Sequence, residues 1–391
     1  MSDSTSGESV PSPEQLARKH LVLVSGAGRS GTSTIAGTLH HLGLHVPLPV
    51  IKPNESNPLG FFESTWPLWF HRRLMETAFI EQTDGRPEAV TRMAGVVTPE
   101  VRQELHDWLA EVAGVADEIV VKDPRSIWVP WLWQETAAGL GVDAGFLTML
   151  RHPAEVLGSR STYYSGYRPH MDAWEFAVMN LCGWINGNLV VESQTRGRPR
   201  AFLLYDDLLD DWRPELRRVR DTFGLTFNDD LEPGHRHAVD DFIDPGLRRH
   251  EPSWDGLDMP EDLVQIADGI FDACCRIAHG EDPDKAEAEL DTIGARYAEL
   301  MRISQAIAWD GLLSHEKIGR RKGAAAAAEE NDKALAAALR DVDAARANVA
   351  RAREELRVAR LERVPASMRA YRSARRRARN AAERWSRKTP G

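Results

Sequence analysis

Cysteine is scarce in this 391-residue chain, with three thiols: Cys182 and the adjacent Cys274 and Cys275. They make neither a disulfide framework nor a zinc pattern, so they read as buried thiols of a reducing compartment. Also missing is any apolar run of the eighteen or more residues that a membrane span needs. Residues 1–19 are rich in Ser, Pro and Glu and lack the apolar stretch of a secretion signal. They are expected to be a disordered segment on a cytoplasmic protein. No metal site is visible. Hydrophobic content of 42% is nevertheless enough for one large core.

Glycine is concentrated where it matters. In His20-Leu-Val-Leu-Val-Ser25-Gly-Ala-Gly-Arg29-Ser-Gly31-Thr32-Ser33-Thr34, an apolar strand runs through a glycine-rich turn into a helix start. That arrangement presents backbone N–H groups to a phosphate. The spacing Gly26-x4-Gly31 copies an ATP- or GTP-binding loop, but Thr32 stands where such a loop requires lysine, and the cation comes earlier, at Arg29. A second strand, Phe146–Leu150, delivers Arg151-His152-Pro153, with Ser159 eight residues after the arginine. A helix starting near Pro153 carries the Ser159 hydroxyl about two turns along, where it can share a phosphate with the guanidinium. Apolar runs at 21–25, 118–122, 146–150 and 201–205 alternate with helical periodicity, which predicts an α/β fold: a P-loop-like parallel sheet flanked by helices.

The two phosphate clamps, taken in order, resemble the sulfotransferase family, whose donor is 3'-phosphoadenosine 5'-phosphosulfate (PAPS). Asn57-Pro-Leu-Gly-Phe-Phe-Glu63, Val121-Lys-Asp-Pro-Arg125 and Phe242-Ile-Asp-Pro-Gly-Leu-Arg248-Arg249 resemble its bacterial branch. The resemblance spans residues 20–310 and implies a sulfotransferase domain over 20–322. It implies that Gly28, Arg29, Ser30, Gly31, Thr32 and Ser33 hold the 5'-phosphate, with Arg29 also steadying the leaving oxygen in catalysis, and that Arg151 and Ser159 hold the 3'-phosphate. Arg248 or Arg249 closes a basic loop there. The resemblance also implies that Lys122 lies beside the transferring sulfuryl group. Pro124 occupies the place of a histidine base found in many enzymes acting on small phenols, so Glu63 becomes the proposed base, with His45, His71 and Asp123 in reserve. A capping or salt-bridged role is the other reading of Glu63. Tyr205, in Leu203-Leu-Tyr-Asp-Asp-Leu208, either approaches the adenine or packs into the core; Thr34 stands where small-phenol enzymes place a tryptophan.

Trp66, Trp69, Phe70, Trp128, Trp131 and Trp133 flank the catalytic segments, either as core or as faces for a sugar. The acceptor expected first is a hydroxyl of a glycan or glycolipid, with a hydrophobic secondary metabolite behind it. The competing readings are a nucleotide kinase, which Thr32 disfavours, and a non-catalytic scaffold.

Composition changes after Gly323. Leu335, Val342, Val349 and Leu356 recur every seven residues, with Ala338, Ala345, Ala352 and Ala359 three places after each. A long heptad helix is expected over 323–362, able to associate with a second copy through 335–361 or to remain solvated or fold back. The segment 363–391 carries nine Arg and one Lys against Glu383 alone. This basic tail suits an anionic membrane surface, a nucleic acid or the acidic body itself, while the acidic body disfavours a nucleic acid substrate.

Overall fold

The computed structural model describes residues 18–55, 57–164, 171–227, 231–232, 234–244, 246, 252–362 and 366–386. The chain divides into two compact units, 1–304 and 305–391. In the first, β1 (Lys19–Ser25) leads into α1 (Thr32–His41). Then α2 (Thr65–Ala78), α3 (Ala89–Gly95) and α4 (Pro99–Ala113) precede β2 (Glu118–Lys122). A 3-10 turn, Pro124–Trp128, and α5 (Pro130–Gly139) lead to β3 (Val142–Leu150). α6 (Pro153–Tyr164) and α7 (Ala173–Thr195) bring the chain to β4 (Arg200–Leu204). α8 (Tyr205–Asp210), α9 (Trp212–Phe223), α10 (Ala238–Phe242), α11 (Glu261–His279) and α12 (Pro283–Ile307) follow.

The four strands pair in parallel in the order β2-β1-β3-β4. Parallel strands buried on both faces read as continuous apolar runs, and β1 does so. Leu21 and Leu23 face one cluster with Ile119, Val121, Phe146 and residues of α2, α4 and α5. Val22 and Val24 face another with Ile35, Leu39, Leu147 and Met149. A third cluster joins Leu150 and Phe202 to α6, α7, α11 and α12. β3 begins before the apolar run at 146 because Val142 to Gly145 also pair with β1. Crossovers leave β1 toward β2 on one side and β3 toward β4 on the other, so the order reverses between β1 and β3. In open α/β sheets, ligands bind at the carboxyl end of such a switch point.

The second unit contains α13 (Trp309–Glu362) and α14 (Ala366–Ser386). α13 begins well before Gly323, where the long helix was expected to start. An internal glycine costs a helix only about 1 kcal/mol against alanine, too little to break one carried by good helix formers on both sides. On the α13 seam, Leu335, Val342 and Val349 are exposed. Among the described residues, no helix is long and apolar enough to cross a membrane.

Candidate active site

The turn after β1 is built for close approach. Gly26 has φ +129°, and a Cβ there would lie 2.6 Å from the Met149 carbonyl oxygen of β3. Gly31 begins α1 at φ +88° without a side-chain cap, so nothing from its own residue covers the first-turn N–H groups, which have no intrahelical acceptor. Arg29, between them, takes φ +80°, a conformation that costs a non-glycine residue about 1–2 kcal/mol. Its side chain is held in return: Nε donates to Ser159 Oγ at 2.9 Å, and the guanidinium lies 4.4 Å from the Tyr163 ring centroid.

Arg151 follows the end of β3 and is buried. Its Nε donates to Glu155 Oε2 at 2.6 Å, one helical turn along α6, and Nη1 donates to the Arg29 carbonyl at 3.3 Å. The guanidinium lies 4.7 Å from the Tyr205 ring centroid. Nη2 is buried with no hydrogen-bond partner. An unsatisfied buried charged donor is costly, and an anion would supply what it lacks. The turn, Arg29, Arg151 and Ser159 line one cleft of about 500 Å³ at the carboxyl ends of β1 to β3.

A buried ionic chain forms the opposite side. Lys122, the last residue of β2, donates from Nζ to Glu63 Oε1 at 2.5 Å and to Ser33 Oγ at 3.2 Å. Glu63 Oε2 lies 3.8 Å from Arg125 Nη1, which donates to Asp123 Oδ1 at 2.7 Å. Behind it, His71 Nδ1 and Asp123 Oδ2 are 2.8 Å apart, and Trp133 Nε1 donates to His71 Nε2 at 2.9 Å. With Nε2 accepting, the proton sits on Nδ1 and is donated to Asp123. Burial alone would raise the Asp123 carboxyl, but the Arg125 guanidinium and His71 outweigh it and hold it below the usual carboxylate range. The arrangement holds a carboxylate, Glu63, between two cations in a largely desolvated cleft.

The site residues read from the sequence are mostly together. Gly28, Arg29, Gly31, Thr32, Ser33, Glu63, Lys122, Arg151, Ser159 and Tyr205 all line the cleft. Ser30 is buried instead, its N–H donated to the Ala27 carbonyl at 3.0 Å. Arg248 and Arg249 lie outside the described residues. Tyr205 is the first residue of α8, buried against Gly31, and its hydroxyl bonds to the Thr34 side chain; burial raises its pKa. His45 bridges to Ile119, near the amino end of β2, far along the strand from the cleft. Asp123 and His71 stand behind Arg125 and do not line the cleft.

No family model matches the chain, and no curated protein matches it. Among solved structures, it is similar to the sulfotransferase domain of the Synechococcus PCC 7002 olefin synthase. The two are 20% identical, with 64% of this chain and 93% of that one covered, at a TM-score of 0.35. It is also similar to the sulfotransferase STF1 of Mycobacterium tuberculosis H37Rv: 16% identical, covering 66% and 78%, TM-score 0.36. The sulfotransferase domain from the curacin biosynthetic pathway is 18% identical, covering 65% and 96%, TM-score 0.34.

Two groups escaped the sequence reading. Tyr163 and Arg160 line the cleft beside Ser159. Tyr163 had a signal, since four residues after Ser159 on a helix puts both on one face. The His71–Trp133 support of Asp123 had none, because it joins α2 to α5 across 62 residues. The flanking aromatics do not line the cleft. Trp128, Trp133 and Phe70 are core; Trp66 stacks on Phe70 and Trp108; Trp69 and Trp131 lie beneath Arg72 and Arg102. All but Trp69, which is exposed, pack into the face of the sheet that α2, α4 and α5 cover rather than at its carboxyl end.

Proposed function

We propose that this protein is a PAPS-dependent sulfotransferase acting on a hydroxyl acceptor. The observation that carries the reading is the buried Arg151 Nη2, without a partner, in the cleft that also holds the glycine turn and the Lys122–Glu63 pair. Arg151 and Ser159, with Arg29 bonded to Ser159, would receive the 3'-phosphate. The N–H groups from Gly28 to Thr32 and the Ser33 hydroxyl would receive the 5'-phosphate. The donor supplies a sulfuryl group on a phosphate leaving group.

Glu63 takes the proton of the acceptor hydroxyl as that oxygen forms its bond to sulfur. The bond from sulfur to the phosphate oxygen breaks, and Lys122, within reach of Ser33, neutralises the charge left on the departing oxygen. The remaining wall, with Glu55, Asn57, Glu81 and Gln82 beside Phe61 and Phe176, is polar enough for a hydroxyl-rich acceptor, a glycan or glycolipid. The reaction is assigned to the cytoplasm. The exposed α13 seam would join two copies of the chain.

The test is calorimetric titration with adenosine 3',5'-bisphosphate, beside ATP, without added metal. Selective binding to wild type, weakened at least about a hundredfold in Arg151→Met/Glu155→Gln, is expected, since a charged hydrogen bond in a desolvated site is worth several kcal/mol. No binding, or preference for magnesium-ATP, would overturn the reading.

A further inference from the structure

α14 is sorted by polarity around its axis. At 100° per residue, Ala370, Tyr371, Ala374, Ala378 and Ala381 fall within one arc of roughly 100°. All seven arginines of the helix, Arg369 to Arg384, fall on the rest, and the sole acid is Glu383. Ala382 and Trp385 continue the apolar spacing in the sequence. Tyr371 is 64% exposed, and every residue of the helix whose burial is described is exposed. The chain's formal charge of −10 and the +9 of residues 363–391 leave −19 on residues 1–362, so the two parts carry opposite net charge.

We propose that α14 lies on an anionic membrane surface, its arginines on lipid phosphates and its apolar arc at the acyl boundary. This stands apart from the reaction assigned to the cleft. Charge complementarity selects an anionic partner, and the Arg fork suits phosphate oxygens. The apolar arc then separates lipid from nucleic acid. A helix that only neutralises a polyanion gains nothing from a continuous apolar strip, whereas one lying at a bilayer surface needs water and headgroups on one side and hydrocarbon on the other. Because most of that strip is alanine, which buries little area, the charged face supplies most of the attraction. Binding therefore depends steeply on salt.

The experiment is vesicle co-sedimentation of the full chain. Vesicles of phosphatidylcholine alone are compared with vesicles containing about 30% phosphatidylglycerol, at about 0.1 M and 0.5 M salt. Binding only to the anionic vesicles, weakened on the order of tenfold or more by high salt, is expected. Arg375→Glu/Arg376→Glu/Arg379→Glu should abolish it. Tyr371→Ser/Ala378→Ser, which leaves the charge of the helix unchanged, should weaken it severalfold. No sedimentation with anionic vesicles would overturn the proposal. So would binding untouched by the apolar-face pair, or displaced by stoichiometric single-stranded nucleic acid, since either describes a plain polycation.

Discussion

At the scale of single residues, Arg151 has two attachments that can be pulled apart. Its Nε satisfies the buried Glu155, and its Nη2 is the group left for a ligand. Arg151→Ala takes the guanidinium from a buried carboxylate and should destabilise the fold by about 3–5 kcal/mol. Arg151→Met/Glu155→Gln should recover most of that in a urea titration, yet still fail to bind adenosine 3',5'-bisphosphate. Recovered binding would show that Glu155, not the ligand, is the reason for the arginine. Glu63→Gln keeps the shape of the proposed base and removes its proton-accepting charge. Turnover should fall roughly 10²–10⁴-fold while nucleotide affinity in calorimetry stays near that of wild type. Asp123 makes the pH prediction. Its folded-state pKa is depressed, so its contribution is complete above the unfolded value near 4 and is lost as pH falls through the folded value. Between about pH 4 and 3 the urea midpoint of wild type should drop more steeply than that of Asp123→Asn.

At the scale of elements, the strands were legible because burial on both faces leaves no polar position in Leu21 to Val24 or Ile119 to Val121. The helix from Pro153 was legible from proline at its first position. What the sequence concealed were relations across long separations. Arg29 lies in the first glycine turn, and its side chain reaches Ser159, 130 residues away, so the two loops read separately are bridged by one guanidinium. Nothing local encodes that reach. The aromatic segments concealed their direction for a similar reason: helical spacing tells which residues share a face, not which neighbour that face meets. For α13, Leu335, Val342 and Val349 lie exposed along one helix, and two copies would bury them against each other. If the seam joins two copies as proposed, wild type should sediment as an oligomer and Val342→Asp/Val349→Asp as a monomer, without loss of helical signal. An unchanged sedimentation coefficient would remove the seam as the joint.

At the scale of the molecule, the chemistry-bearing residues all belong to the first unit and the heptad and basic segments to the second. Among the described residues, none beyond Tyr205 lines the cleft. Ending the chain after Ile307, at the close of α12, should therefore leave affinity for adenosine 3',5'-bisphosphate within about twofold of the full chain, since no described cleft-lining residue is removed. A large loss would mean that a second copy completes the cleft. The same truncation removes the seam and the arginine-rich helix together, so sedimentation with anionic vesicles should vanish while nucleotide binding persists.

Gly31 and Tyr205 are one packing decision written at two places 174 positions apart. A Cβ on Gly31 would come 2.3 Å from the Tyr205 ring, which occupies the volume a side chain there would need. The two positions are thus sterically coupled. In any descendant of this sequence, a larger residue at 31 is viable only where the ring at 205 has shrunk or turned away, and a tyrosine at 205 admits only glycine at 31. Sequences diverging from this one should show that joint exclusion even where both loops have otherwise drifted.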